Sequence, residues 1–344
     1  MPTRRKMNIL GRGMRTPGNR RARSASGAPL AIALCIALLL SVSIGAVIAR
    51  ADSSSTRTLK ILVPQSTSSL PFLLMAAEQP IRGVEVRIET FLNHAQALAL
   101  LLRGEADLLF TGTSQGWENR LDGSPIVMID TGVWGVSSLV GRDASIKGFA
   151  DLKGKRLALP FPGSPLDFQT RAILAHEGID PDRDLTLSYG AFAQSVPLLL
   201  AGRLDAAALP EPLATTVVKT KGLARLALYA DAWAKATGEA ESPQVSLFAS
   251  EAWAKTHREL LAALVEAWRA ASLKVSEQPG DVFARFASAL STDAATLQES
   301  AQHTIFDVPT VTVNKARVMS YHQQVARYIP GPSRQLDDGF FFQP

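Results

Sequence analysis

The chain alternates between short apolar runs and stretches in which apolar residues recur every three or four positions. Short apolar runs are typical of buried strands, and the longer period is typical of helices. The predicted strands lie at 59–64, 84–90, 106–112, 156–161, 184–190 and 205–211. Strands that alternate with helices predict βαβ units and a parallel sheet.

The second half of this pattern repeats the first. Residues 95–107 (AQALALLLRGEAD) match residues 193–205 (AQSVPLLLAGRLD) at an offset of 98, with seven identities in thirteen positions. Residues 62–72 match residues 158–168 at an offset of 96, with four identities. A period near 98 residues is too long for a solenoid repeat. We therefore predict two similar α/β lobes.

Two strand-like segments join the predicted lobes. Residues 133–142 lead into the second unit and residues 244–253 lead out of it, and a helical stretch follows to about residue 278. Two crossings form a natural hinge. The predicted fold has central, mostly parallel sheets in two lobes on a two-segment hinge. The domains are 1–51 (export segment), 52–137 (first part of lobe one), 138–244 (lobe two) and 245–344 (return to lobe one and C-terminal helices).

The positive charge is concentrated at the N-terminus. The formal net charge is +5, but nine of the 36 basic residues and none of the 31 acidic residues lie within residues 1–51. The rest of the chain therefore has 27 basic and 31 acidic residues, a net charge of −4. A body of that charge is a poor partner for nucleic acid.

The basic start precedes an apolar run at residues 29–49, which ends near an A-x-A cleavage pattern at Ala49-Arg50-Ala51. The run is either removed as a signal peptide or retained as an N-terminal anchor. Either outcome predicts a periplasmic or other extracytoplasmic body. Cys35, the only cysteine, lies inside the run. We therefore expect no disulfide and no Cys-ligated metal in the mature chain. No pair of histidines has a metal-binding spacing such as H-x-x-x-H, so we also expect no other metal site and no cofactor.

The loops after the predicted strands begin helices. Ser164 has the position of an N-cap and Pro165 that of the first helical residue, while Pro212 starts a helix after the last strand. Ligands of open parallel sheets bind beyond the carboxyl ends of the strands, and helix N-termini favour anions. Glu211 is either a capping charge or an acceptor for a donor on the ligand. The sequence thus predicts an anion-binding cleft, which Phe161, Trp117 and Trp134 would wall.

Two segments carry a family resemblance. Residues 151–174 (DLKGKRLALPFPGSPLDFQTRAIL) and 198–215 (LLLAGRLDAAALPEPLAT) resemble the periplasmic solute-binding proteins of ABC importers. The likeness is to the nitrate/sulfonate/taurine (NitT/TauT-like) branch, which also includes binders of thiamine-precursor pyrimidines. It covers about residues 57–280. It implies a monomeric, non-enzymatic type II clamshell that closes on a small anionic solute and delivers it to a membrane permease with its ATPase.

The resemblance also implies contact loops at 65–69, 111–114, 161–165 and 211–212. The expected ligand-binding residues are Gln65, Ser66, Thr67, Ser68, Thr111, Gly112, Thr113, Ser114, Trp134, Phe161, Gly163, Ser164, Pro165, Glu211 and Pro212.

Three alternatives compete with transport. Residues 112–116 (GTSQG) fit the G-x-S-x-G nucleophile elbow, with Ser114 as nucleophile. Downstream histidines that would serve as bases are His176, His257, His303 and His322. Against a hydrolase, the equivalent position of the second unit is Pro-Glu-Pro, and no oxyanion glycine run precedes the motif. The others are a pyrimidine-synthesising enzyme on the same fold and a sensor or docking module that feeds no transporter.

Overall fold

The first repeat unit folds as strand, helix, strand, helix, strand, as its hydrophobic pattern predicts. Its elements are β1 (Arg57–Pro64), α1 (Leu70–Glu78), β2 (Val84–Phe91), α2 (His94–Leu102) and β3 (Leu108–Gly112). A 3-10 turn at Thr67–Ser69 precedes α1. The computed structural model describes residues 56–143, 145–219, 223–239, 242–277, 280–328 and 335–344. The predictions for residues 1–51 and Cys35 therefore lie outside the described residues.

The chain then passes through α3 (Thr113–Leu121), β4 (Ile126–Gly135) and β5 (Ser137–Gly141). The second repeat unit follows. Its elements are β6 (Arg156–Leu159), α4 (Pro165–His176), α5 (Pro181–Asp184), β7 (Thr186–Tyr189), α6 (Phe192–Leu200), β8 (Ala206–Pro210) and α7 (Leu213–Val218).

The C-terminal third adds strands to both sheets and a helical layer. Its elements are β9 (Ala224–Leu228), α8 (Tyr229–Thr237), β10 (Val245–Ser250), α9 (Glu251–Thr256), α10 (Arg258–Ser276), α11 (Gly280–Phe286), α12 (Ala294–Ala301), β11 (Ile305–Phe306) and α13 (Val311–Val325). Further 3-10 turns lie at Phe149–Leu152, Ser288–Leu290, Ala326–Tyr328 and Asp338–Phe340. None of the helices among the described residues is long and apolar enough to cross a membrane.

The strands form two sheets with the same order. The six-stranded sheet runs β2-β1-β3-β10-β4-β11, and the five-stranded sheet runs β7-β6-β8-β5-β9. We call the first sheet and its helices lobe one, and the second sheet and its helices lobe two. Residues Thr56–Pro344 nevertheless form one compact unit. The residue boundaries of separately moving lobes therefore stay a prediction.

Strand register confirms the internal repeat. Ile61 pairs with Leu108 in lobe one, and Leu157 pairs with Ala206 in lobe two. These pairs are related by the offsets of 96 and 98 that the sequence shows. The two units are therefore structurally equivalent, residue by residue, at the centre of each sheet.

Both sheets are mixed rather than mostly parallel. The pairs β1–β2, β1–β3, β6–β7 and β6–β8 are parallel, as the βαβ pattern predicts. Next to them, β10 is antiparallel to β3, and β5 is antiparallel to β8. These two strands follow the crossings between lobes. Each enters its sheet from the end at which the repeat strands finish, so it runs in the opposite direction.

The two crossings lie side by side. Val136 alone separates β4 of lobe one from β5 of lobe two. The return segment leads from α8 to β10, and there the N–H of Ser242 donates to the carbonyl of Trp134 and that of Gln244 to the carbonyl of Val133. The predicted two-segment connection is therefore present.

Candidate functional site

A cavity of about 140 Å³ lies between the carboxyl ends of the strands of the two sheets. Much of its wall comes from equivalent positions of the two repeat units. These pairs are Pro64 and Pro160, Gln65 and Phe161, Ser68 and Ser164, His94 and Phe192, and Gly112 and Pro210. The other lining residues are Ser66, Phe91, Leu92, Val136, Ser137, Pro165, Leu166, Gln244 and Val245.

The chemistry of the wall differs between the lobes. Where lobe one places the polar side chains of Gln65 and His94, lobe two places the rings of Phe161 and Phe192. Among the described residues that line the cavity, none is an aspartate, glutamate, lysine or arginine. At these two pairs of positions, lobe one offers hydrogen-bonding groups and lobe two offers apolar rings.

Two sets of hydrogen bonds connect the lobes beside the cavity. The carbonyl oxygen of Glu211 accepts from Ser66 Oγ at 2.9 Å and from the backbone N–H of Thr67 at 3.2 Å. Ser114 Oγ donates to the carbonyl of Gly163 at 3.0 Å. The loops are thus held together by small polar groups, which a rotation about the crossings would separate.

The helix N-termini at the cavity are largely satisfied by the protein itself. Ser164 Oγ accepts from the N–H of Asp167 at 3.1 Å, and Asp167 Oδ2 accepts from the N–H of Gly163 at 2.8 Å. The predicted N-cap at Ser164 and the first-turn Pro165 are confirmed. Ser66 Oγ similarly accepts from the N–H of Ser68. Some of the donors expected for an anion are therefore already used within the protein, and anion binding stays a prediction.

Ser68 contributes an unpaired hydroxyl to the wall. Its side chain is 1% exposed, and its Oγ has no hydrogen-bond partner within the described part of the chain. An unpaired buried hydroxyl costs about 1–3 kcal/mol relative to a paired one. A molecule in the cavity would supply the missing partner.

His94 is held in one orientation. Its Nδ1 lies 2.7 Å from Thr111 Oγ1, and the Thr111 hydroxyl donates to Gln115 Oε1 at 2.8 Å. The Phe91 ring meets His94 edge-on at a centroid distance of 5.0 Å. Burial lowers the pKa of His94 to about 4, because the charged imidazolium would lose its hydration. The ring is therefore neutral at pH 7.

Glu211 does not face the cavity with its carboxylate. The side chain is fully buried, and Oε1 lies 2.6 Å from Arg225 Nη1. Oε2 accepts from the N–H of Thr215 at 3.0 Å. The bond to Thr215, in the first turn of α7, agrees with the capping alternative. The sequence did not anticipate the ion pair with Arg225, and a carboxylate held in this way is not available to a ligand donor. The Glu211–Pro212 bond is cis, and Pro212 is the N-cap of α7.

The structure divides the expected ligand-binding residues into two groups. Gln65, Ser66, Ser68, Gly112, Phe161, Ser164 and Pro165 line the cavity. Thr67, Thr111, Thr113, Ser114, Trp134, Gly163, Glu211 and Pro212 lie behind the lining. Trp134 is fully buried and donates to the carbonyl of Asp307, and Trp117 is buried in the core, so neither forms the wall that we expected. Whether the lining residues bind a ligand remains a prediction.

Twelve of the 19 lining residues were missed from the sequence, and four of these carry an aromatic ring or an amide side chain. Phe91 is the last residue of β2, His94 and Phe192 are the first residues of α2 and α6, and Gln244 lies on the return crossing. The repeat itself carried a signal, because His94 and Phe192 occupy equivalent positions directly before the strongest matching block. Among the described residues, no group of three or more His, Cys, Asp or Glu side chains could hold a metal ion.

The fold and the cavity together indicate the class of protein to which this structure is similar. The structure has the fold of ABC-type solute-binding proteins. Similar solved structures include an ABC transporter from Parabacteroides distasonis (TM-score 0.69, 20% identity, 83% of this chain and 98% of that chain). The aliphatic sulphonate-binding protein SsuA from Escherichia coli has a TM-score of 0.65 at 18% identity over 80% and 94% of the two chains. The nitrate-binding protein NrtA from Synechocystis has a TM-score of 0.63 at 16% identity over 80% and 83%.

The sequence also matches a known family over part of its length. Residues 119–285 match the sequence model of the NMT1-like family. No curated protein matches the chain closely enough to count as a relative. The resemblance to solute-binding proteins, drawn above from the sequence alone, is confirmed at this level, and so is the class of fold.

Proposed function

We propose that this protein binds one small solute in the cavity between its two sheets and delivers it to an ABC-type permease. The observation that carries the proposal is the cavity itself. Equivalent loops of both repeat units enclose it, and it contains the unpaired hydroxyl of Ser68. A ligand that contacts both lobes stabilises their closed arrangement, which is the form that a permease would recognise.

The fold supports transport rather than chemistry. Structures with this fold include proteins named for sulphonate and nitrate binding. Ser114, the nucleophile of the hydrolase alternative, is fully buried and donates its hydroxyl to the Gly163 carbonyl. That bond gives Ser114 a role in joining the lobes. A sensor or docking module would bind its solute in the same way but would not require a permease.

Two classes of solute are candidates. A small anion is favoured by the names of SsuA and NrtA, the sulphonate- and nitrate-binding neighbours. An uncharged polar solute with an apolar body is favoured by a wall that combines phenylalanine rings with neutral hydrogen-bonding groups.

A thermal-shift screen of the purified full chain tests the proposal. Small sulfonates, nitrate, carboxylates, amides and amines are added one at a time. A solute that binds only the native state raises the melting temperature, by an amount that grows with its concentration. A hit should then show a single site by calorimetry.

The location of binding is tested with matched variants. Ser68→Ala should weaken binding of a hit about tenfold, because it removes a hydroxyl from the wall. Ser272→Ala is the control, since Ser272 Oγ is also buried and unpaired but lies in α10, outside the cavity lining. Equal affinities in both variants and the unchanged protein would place the solute elsewhere and contradict the proposed site.

A further inference from the structure

The polar side of the cavity is built around one imidazole. His94 is among the residues that line the cavity, and its Nδ1 contacts Thr111. Thr111 is fully buried and does not line the cavity. The two ring nitrogens of His94 therefore have different surroundings.

The hydrogen-bond chain behind His94 has a direction. With the Gln115 amide oriented so that Oε1 points to Thr111, the Thr111 hydroxyl uses its single proton in donating to that oxygen at 2.8 Å. Thr111 Oγ1 must then accept from His94 Nδ1, at 2.7 Å. His94 consequently carries its proton on Nδ1, and Nε2 keeps a lone pair. Nε2 has no protein partner among the described residues.

We propose that His94 determines the specificity of the cavity. Its Nε2, fixed as a hydrogen-bond acceptor by Thr111 and Gln115, selects uncharged solutes that present an N–H or O–H donor and rejects anions of the same shape. The inference rests on the proposed function and deepens it by naming the class of solute.

Three features of the cavity agree with this assignment. The lining contains no lysine or arginine to compensate an anionic group. The imidazole stays neutral at pH 7, since burial lowers its pKa to about 4. The Phe161 ring of lobe two lies next to the His94 ring, at a centroid distance of 6.5 Å. An anion placed beside Nε2 would meet a lone pair with an apolar ring next to it.

The first test reads the state of His94 without any ligand. Nitrogen-15 NMR of histidine side chains distinguishes the protonated from the unprotonated ring nitrogen, and His94→Phe identifies the signal. We expect Nδ1 protonated and Nε2 unprotonated at pH 7 in the purified full chain. Thr111→Val removes the acceptor for Nδ1–H and should shift the population toward the Nε2–H form. A His94 signal that is cationic or Nε2-protonated in the unchanged protein would overturn the inference.

The second test uses pairs of probes that differ in charge but little in shape. Methanesulfonamide is compared with methanesulfonate, and benzenesulfonamide with benzenesulfonate, by calorimetry at pH 7. We expect the sulfonamide of a pair to bind at least tenfold more tightly than the sulfonate. His94→Phe should reduce that preference to less than threefold, and His176→Phe, at an exposed position of α4, should leave it unchanged.

The two tests separate failure of the inference from failure of the proposed function. Tighter binding of sulfonates, or a preference that His94→Phe does not alter, would overturn the role of His94 while supporting solute binding. If none of the probes or screened solutes bound to a protein whose His94 has the expected tautomer, the proposed function would be contradicted instead.

Discussion

Replacing Glu211 by glutamine should destabilise the protein strongly. The Glu211 side chain is fully buried, and its carboxylate lies 2.6 Å from the guanidinium of Arg225, which is itself 15% exposed. Two opposite charges about 4 Å apart at an effective dielectric constant of about 20 attract each other by about 4 kcal/mol. Glu211→Gln leaves the buried guanidinium with only neutral partners, Ser138 and Thr215. Breaking a buried pair in this way costs about 3–5 kcal/mol.

Urea unfolding at pH 7, followed by tryptophan fluorescence, gives the free energy of unfolding. The matched control is Glu89→Gln, because Glu89 pairs with Lys60 at 2.9 Å but its side chain is 57% exposed. Exposed pairs contribute at most about 1 kcal/mol, so this variant should be nearly as stable as the unchanged protein. A double variant, Glu211→Gln with Arg225→Met, should recover part of the loss, since it leaves no unpaired charge.

The reasoning would be refuted by a loss below about 1 kcal/mol in Glu211→Gln, or by a loss equal to that of the exposed control. Either result would mean that water reaches Arg225 when its partner is removed. A reduced affinity for solute at unchanged stability would instead mean that the carboxylate acts on the ligand, as the sequence had left open.

Three further predictions concern other buried groups. Burial raises the pKa of Asp130 to about 7, from 3.8, so the folded state holds its proton more tightly and stability falls as pH rises through this window. The stability advantage of Asp130→Asn over the unchanged protein should therefore grow from pH 4 to pH 8, by at most about 4 kcal/mol in urea unfolding. A difference in stability that does not change with pH would contradict this prediction. Gly132→Ala would place a Cβ inside the Trp268 ring and should lower the free energy of unfolding by about 3 kcal/mol, which a lower melting temperature would show. An unchanged melting temperature would mean that the ring can move away. Ser164→Ala removes the cap from Asp167 N–H and should cost about 1 kcal/mol, whereas no loss would show that water replaces the cap.

The sequence predicted the fold to the level of strands and their equivalence because the repeat carries structural constraints. Gly104 and Gly202, identical in the matching blocks, both end a helix with positive φ (73° and 68°). Asp107 and Asp205 both accept the N–H of a basic residue on the neighbouring strand, at 2.8 and 2.7 Å. The two halves therefore have identical residues where the backbone geometry or a contact between strands requires a particular residue type.

Two features of the structure could not be predicted from the sequence. They are the direction in which β5 and β10 enter their sheets and the residue that pairs with Glu211. Whether β5 and β10 run parallel or antiparallel to their neighbours is set by where the crossings enter each sheet, and a period-two pattern is the same in both directions. The partner of Glu211 is Arg225, on β9, a strand that lies outside the repeat. Nothing in the local sequence of either residue indicates that they meet.

Comparison of the two halves separates scaffold from site. At the glycines and aspartates that end helices and join strands, the halves agree. At the cavity they diverge: His94 in one half corresponds to Phe192 in the other, and Gln65 corresponds to Phe161. A symmetric pair of loops would present the same chemistry from both sides and could not orient an unsymmetrical solute. Different residues at these two pairs of positions make the two sides of the cavity chemically unequal, so a solute can be bound in one orientation. Differences between internal repeats, rather than identities, are therefore where the specificity of such a site should be sought.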